Sequence, residues 1–220
     1  MNNKLSIGVG IGVLLIAIGF SFWYVMSQGS TLGKKDVLAI VGDKKITAQE
    51  VDEALAQVAL QQGFDVADLD AEMKKQITKQ VVEMLVDQAL IKEKIAEANI
   101  VVSDERIDGQ IAQVVTQFES QEEFESALLM EGLSMEDFRE RVRESIAIEI
   151  YLEQELNLSS ITATQEDIAE LEAQFAQLED FETMQGEFDF AVYAAEQKQQ
   201  EAIQQFILQL RESANVEIFI

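Results

Sequence analysis

From Thr47 to Glu212 the apolar residues of this chain recur at separations of three and four, with no proline anywhere to interrupt them. The only clear period-two segments stand at the two ends of that run. VLAIV, Val37 to Val41, opens it, and the following Lys45 and Ile46 extend the same character. VEIFI, Val216 to Ile220, closes it, alternating Val216, Ile218 and Ile220 against Glu217 and Phe219. Each segment is too short to stand alone, and an unpaired strand leaves its backbone donors and acceptors open. Loop-closure cost grows only logarithmically with the intervening length, so the two ends are expected to pair as a small two-stranded sheet that fastens a helical domain.

Boundary residues divide the interior into seven helices. Thr47 with Glu50 forms a capping-box signature for a helix that carries Val51, Leu55 and Val58 and stops at Gly63. A long helix from about Asp70 to Ala98 carries Ile77, Val81, Met84, Ile91 and Ile95, with Asn99 suited to a left-handed cap. Ser103 starts a helix with Asp104 and Glu105 in its first turn and Ile107, Ile111, Val114 and Phe118 on one face. Ser120 with Glu123 starts the next, ended by Gly132, and Ser134 with Asp137 starts another that carries Phe138, Val142 and Ile146 toward Leu156. Thr164 caps a set spaced at three and four, Ile168, Leu171, Phe175 and Leu178, and a last helix spans Phe188 to Glu212.

Ahead of this domain, Leu5 to Met26 is an uncharged run of 22 residues, long enough to cross a hydrocarbon core of roughly 30 Å. It ends in Phe22, Trp23 and Tyr24, an aromatic group suited to a membrane interface, and leaves through VMSQGS, which lacks the small-residue pattern of a cleavage site. The reading is an uncleaved signal anchor over residues 1–27, a polar linker over 28–35 and a folded domain over 36–220. Lys4 and the amino terminus compete with Lys34 and Lys35 in setting orientation, so the positive-inside bias is weak. The acidic domain is expected on the extracytoplasmic side of a cell membrane.

Charge and missing residue types narrow the chemistry. All 41 Asp and Glu lie beyond residue 35, the whole chain holds 16 Lys and Arg, and the net charge is -25. Such a field repels nucleic acid and tolerates neutral or cationic partners. There is no Cys, so there is no disulfide framework, thiol nucleophile or iron-sulfur cluster, and no His, which removes Ser-His-Asp machinery and His-based metal sites.

The remaining motifs are weak. Asp65, Asp68, Asp70 and Glu72 in GFDVADLDAE lack the spacing and the sixth-position glycine of an EF-hand loop. Glu187 and Asp189 flank Phe188, but a chain this rich in carboxylates places such pairs together by chance. No catalytic, metal or cofactor site is expected. Met130, Leu133, Met135 and Phe138 gather around the Gly132 turn, where adaptable thioethers suit contacts with varied apolar partners, although core filling explains them as well. These four are the candidate client-binding residues.

Four stretches in order resemble one family. VLAIVGDKKITAQEVDEAL, with Gly42, Asp43, Ile46 and Thr47 at its turn, is similar to the opening of the SurA N-terminal-like domain of periplasmic chaperones and PpiD- and PrsA-type foldases. VVEMLVDQALIKEKIAEANIVVSDERID resembles that family's central helix and exit, SQEEFESALLMEGLSMEDFRERVRESI its helical pair joined at Glu-Gly-Leu-Ser, and LRESANVEIFI its returning helix and strand. The family's familiar members insert parvulin-type prolyl isomerase domains before that returning helix. Here only FETMQGEFD, Phe181 to Asp189, occupies the place, and the histidine usual in a parvulin site is absent. The resemblance implies a mainly α chaperone domain that binds unfolded or exported polypeptides and has no isomerase activity. Two rivals remain open, an adaptor docking on one envelope protein and a degenerate prolyl isomerase.

Overall fold

The computed structural model describes residues 36–130, 132–176 and 188–220. The expected span Leu5 to Met26 and the residues Leu178 and Glu187 lie outside them. Among the described residues no helix is long and apolar enough to cross a membrane. Among these residues three strands and seven α-helices follow one another, and local chemistry accounts for most boundaries.

Strand β1 (Val37–Val41) is followed after two residues by β2 (Lys44–Thr47), and β3 (Val216–Ile218) returns from the far end of the chain. The sheet is antiparallel in the order β2-β1-β3. The two terminal strands pair as expected, with Ala39 opposite Ile218, Ile40 opposite Glu217 and Val41 opposite Val216. The expectation of two strands is corrected to three, because Lys44–Thr47 folds back on β1 instead of prolonging it. Gly42 supplies the reversal with a φ of 55°, a backbone shape that side-chain-bearing residues avoid. β1 thus becomes the central strand, with Ala39 and Val41 fully buried. The Phe219 N–H still donates to the Leu38 carbonyl at 2.8 Å and the Gly42 N–H to the Asn215 carbonyl at 3.1 Å, so backbone pairing extends past both ends of β3.

Helix α1 (Ala48–Gln62) begins at the expected capping box. The Glu50 N–H donates to the Thr47 hydroxyl at 3.1 Å, and the Thr47 N–H donates back to the Glu50 carboxylate. Asp70 caps α2 (Ala71–Ala98), accepting from Glu72 and Met73, and Asn99 ends it in the left-handed conformation. Ser103 caps α3 (Asp104–Val115). Ser120 accepts from Glu123 at the start of α4 (Gln121–Met130), and the Ser134–Asp137 pair opens α5 (Met135–Leu156). A full capping box between Thr164 and Asp167 starts α6 (Gln165–Phe175). Asp189 accepts from Ala191 and Val192 at the head of α7 (Phe190–Ser213). Asp65, Asp70 and Asp189 therefore serve as caps for short or long helices.

The chain divides into two compact units. One holds the described residues through Glu149 together with Leu210–Ile220, and the other holds Ile150–Gln209. In the first, the sheet packs against α1 and α2. Buried residues of α2 are Val81, Val82, Leu85, Val86, Leu90 and Ile91, a broader band than the single stripe through Met84 and Ile95 read from spacing. The band is broad because α2 is covered by the sheet on part of its surface and by α1 on another. At the last turn of α7, Arg211 forms a forked ion pair with Asp87 of α2 and also donates to the Glu83 carbonyl at 3.0 Å. In the second unit Leu171, Phe190 and Ala194 are buried against Ile168, Phe175 and Phe188, and Lys198 reaches Asp167 at 2.6 Å.

Candidate functional site

One face of α2 lines two open pockets of the first unit. Residues three and four apart share a helix face, and Leu85, Gln88, Ala89, Lys92, Ala96 and Asn99 follow that spacing over about 21 Å. The first pocket, about 460 Å³, has Val41, Ile46, Leu85 and Ala89 as its apolar floor. The second, about 310 Å³, lies toward the C-terminal end of α2, where Ile95, Ala96, Ile100, Ala147 and Ile148 line it. Lys92 borders both and forms an ion pair with Glu144 of α5 at 3.1 Å.

The rim of the first pocket is charged, and its cations are already engaged. Lys44 bonds to Glu50 at 2.7 Å, and Glu50, only 6% exposed, also accepts the Thr47 N–H. The capping residue of α1 is thereby a buried carboxylate neutralised from the neighbouring strand. Asp43 and Glu93 line the same pocket and lie exposed at its mouth. A Cβ placed on Gly42 would lie 3.4 Å from a Glu93 carboxylate oxygen, an ordinary contact distance, so it is the positive φ and not lack of space that favours glycine at this turn.

The four residues chosen from sequence divide into two groups. Met130 is 88% exposed at the end of α4, beside Leu129 at 74%. Leu133 and Met135 are half-buried around the Gly132 turn. Phe138 is half-buried and stands edge-on to the buried Phe124 at 5.2 Å, and Phe124 meets Phe118 in turn at 5.3 Å. Phe124 is the buried centre of that aromatic trio, whereas Leu129 and Met130 face solvent. The α2 groove was not legible in the same way, since Ala89, Lys92 and Ala96 dilute the apolar signal of its face. The sequence signal pointing to it is limited to Ala89 and Ala96, two small residues seven apart on that face.

Two carboxylates have their charged form favoured by neighbours. Lys198 and the Thr164 cap hold Asp167 down to about 2, and the hydroxyl and backbone N–H of Ser134 lower Asp137 below its ordinary value. Both act at helix starts, outside the groove.

The SurA-like N-terminal domain family matches residues 1–152. Chaperone SurA of Methylobacillus flagellatus is 28% identical over 159 residues, covering 70% of this chain and 35% of that protein. Foldase protein PrsA of Clostridium botulinum is 26% identical over 128 residues, covering 52% of this chain and 38% of its own length. The chain thus spans little more than a third of these curated relatives. A solved SurA-like chaperone of Campylobacter jejuni superposes with a TM-score of 0.52 at 13% identity, covering 83% of this chain and 98% of that one, a likeness of fold.

Proposed function

The chain belongs to the SurA-like N-terminal domain family, and from that premise we propose that it is a membrane-anchored, extracytoplasmic chaperone that holds unfolded segments of exported proteins and has no prolyl isomerase activity. The observation that carries the reading is the pair of open, largely apolar pockets that one face of α2 lines. An extended polypeptide meets such a surface through alternate apolar side chains, and its release needs no nucleotide. Binding of this kind acts by mass action, lowering the free concentration of the unfolded client. The exposed pair Leu129 and Met130 offers a second apolar contact in the same unit. Net charge of -25 keeps a protein with open apolar surface dispersed.

Anchoring is supported by the uncharged run Leu5 to Met26. The absence of isomerase activity is supported by the short stretch between α6 and α7 and by the lack of histidine. The full chain in lipid nanodiscs should suppress light scattering from an unfolded exported protein at near-stoichiometric amounts and without ATP. Under the same conditions it should leave the isomerisation of a proline tetrapeptide at the uncatalysed rate. Unchanged aggregation would reject the holding role, and acceleration of the peptide well above a heat-inactivated control would reject the second claim. Protease added to spheroplasts should digest the acidic domain, and full protection would reverse the topology.

A further inference from the structure

We propose that the first pocket takes the side chain of a lysine or arginine in an extended polypeptide, so that the segments this protein holds are apolar runs interrupted by a cation. The assignment rests on the holding role argued above and specifies its ligand.

A long basic side chain has two requirements, an apolar path for its methylene stem and an anionic partner for its head. Val41, Ile46, Leu85 and Ala89 form the path. Five charged residues line the pocket: Asp43, Lys44, Glu50, Lys92 and Glu93. Lys44 is engaged by Glu50 at 2.7 Å and Lys92 by Glu144 at 3.1 Å. Asp43 and Glu93 have no hydrogen-bond or ion-pair partner among the described residues. The uncompensated charge at this apolar pocket is therefore two carboxylates.

Other occupants fit less well. An anionic side chain would meet the two free carboxylates while both lysines are already paired. A metal ion would gain nothing from the apolar floor, and among the described residues no group of three or more acidic side chains is placed to hold one. An apolar side chain satisfies the floor alone and draws nothing from the rim. Surface ion pairs are individually weak, so the rim is expected to supply preference on top of apolar binding rather than most of the affinity.

The test uses the full chain in nanodiscs and three fluorescein-labelled peptides. They share a Leu, Ser and Thr host sequence and differ at one central position, lysine, norleucine or glutamate. Anisotropy at low salt should show the lysine peptide binding about two- to fivefold tighter than the norleucine peptide, with glutamate weakest. The double variant D43N/E93Q, at two exposed positions, should erase the difference between lysine and norleucine while leaving norleucine binding within about twofold. Because it removes only two of 41 acids, loss of the preference would locate it at this pocket and not in the general negative field. A benzoylphenylalanine beside the lysine should crosslink to residues 85–93.

Equal binding of the lysine and norleucine peptides, a preference that survives D43N/E93Q, or crosslinks confined elsewhere would each overturn the pocket assignment and leave the holding role standing. If none of the three peptides binds, the assignment falls as well, and the light-scattering assay alone then decides the holding role.

Discussion

At the scale of single residues, the fold relies on short polar side chains that close helix starts. Asp167 is held at about 2 by Lys198 and by the hydroxyl and N–H of Thr164, below its ordinary value of 3.8. A carboxylate with a depressed folded-state pKa contributes stability that is complete above the unfolded value and lost as pH falls through the folded one. Asp167→Asn should therefore lower the melting temperature at neutral pH, and the gap from the parent should close as pH drops from about 4 to about 2. A gap that stays constant across that window would mean that the carboxylate charge contributes nothing. Gly42 is the second such position, with a φ of 55° and Glu93 beside it. Gly42→Ala is expected to destabilise by about 1 kcal/mol in denaturant titration, because alanine is strained at positive φ.

At the scale of elements, the sheet and the last turn of α7 return the C-terminal residues to the strand β1 that opens the described residues. β3 covers one edge of β1, while Arg211 grips Asp87 from 124 residues away in sequence. Both side chains of that ion pair are about a quarter exposed, so its forked geometry is only partly screened. Deleting Val216 to Ile220 would uncover the buried Ala39 and Val41 of the central strand and leave the Leu38 carbonyl without the Phe219 N–H. The expected loss is about 2–4 kcal/mol, a large share of the stability of an ordinary domain. Amide exchange in β1 should rise with it. A truncated chain that melts within a degree or two of the parent would show that β1 draws its stability from β2 and the helices alone.

At the scale of the whole molecule, apolar surface that stabilises folding and apolar surface kept open are separable. Phe124, Ile107 and Leu90 are buried, and truncating any of them would weaken the fold. Leu129 and Met130 are exposed, so replacing both with serine should move the melting temperature by no more than a degree or two. The same change should weaken suppression of client aggregation severalfold in the light-scattering assay. Unaltered suppression would assign client contact to the α2 groove alone. This contrast also explains why Met130 and Phe138, neighbours in one sequence motif, have different surroundings: Phe138 turns toward Phe124, while Met130 sits at the open end of α4.

The sequence by itself determined the helix starts, the left-handed cap at Asn99 and the pairing of the first and last strands. Those features rest on contacts between near neighbours, as in the Thr47–Glu50 and Thr164–Asp167 boxes, or on an alternation that has no other partner to satisfy it. Only the tertiary structure decided that Lys44–Thr47 forms a third strand, since Lys45 and Ile46 read along the sequence as a continuation of β1 and it is the Gly42 reversal that folds them back on it. It also decided that Glu50 is buried under Lys44 and that Val41, Ile46, Leu85 and Ala89 share one pocket. A hydrogen bond between residues three apart is written in adjacent letters. A pocket is the space that packed elements leave unfilled, and its shape depends on how β1, β2 and α2 meet, which no single segment encodes.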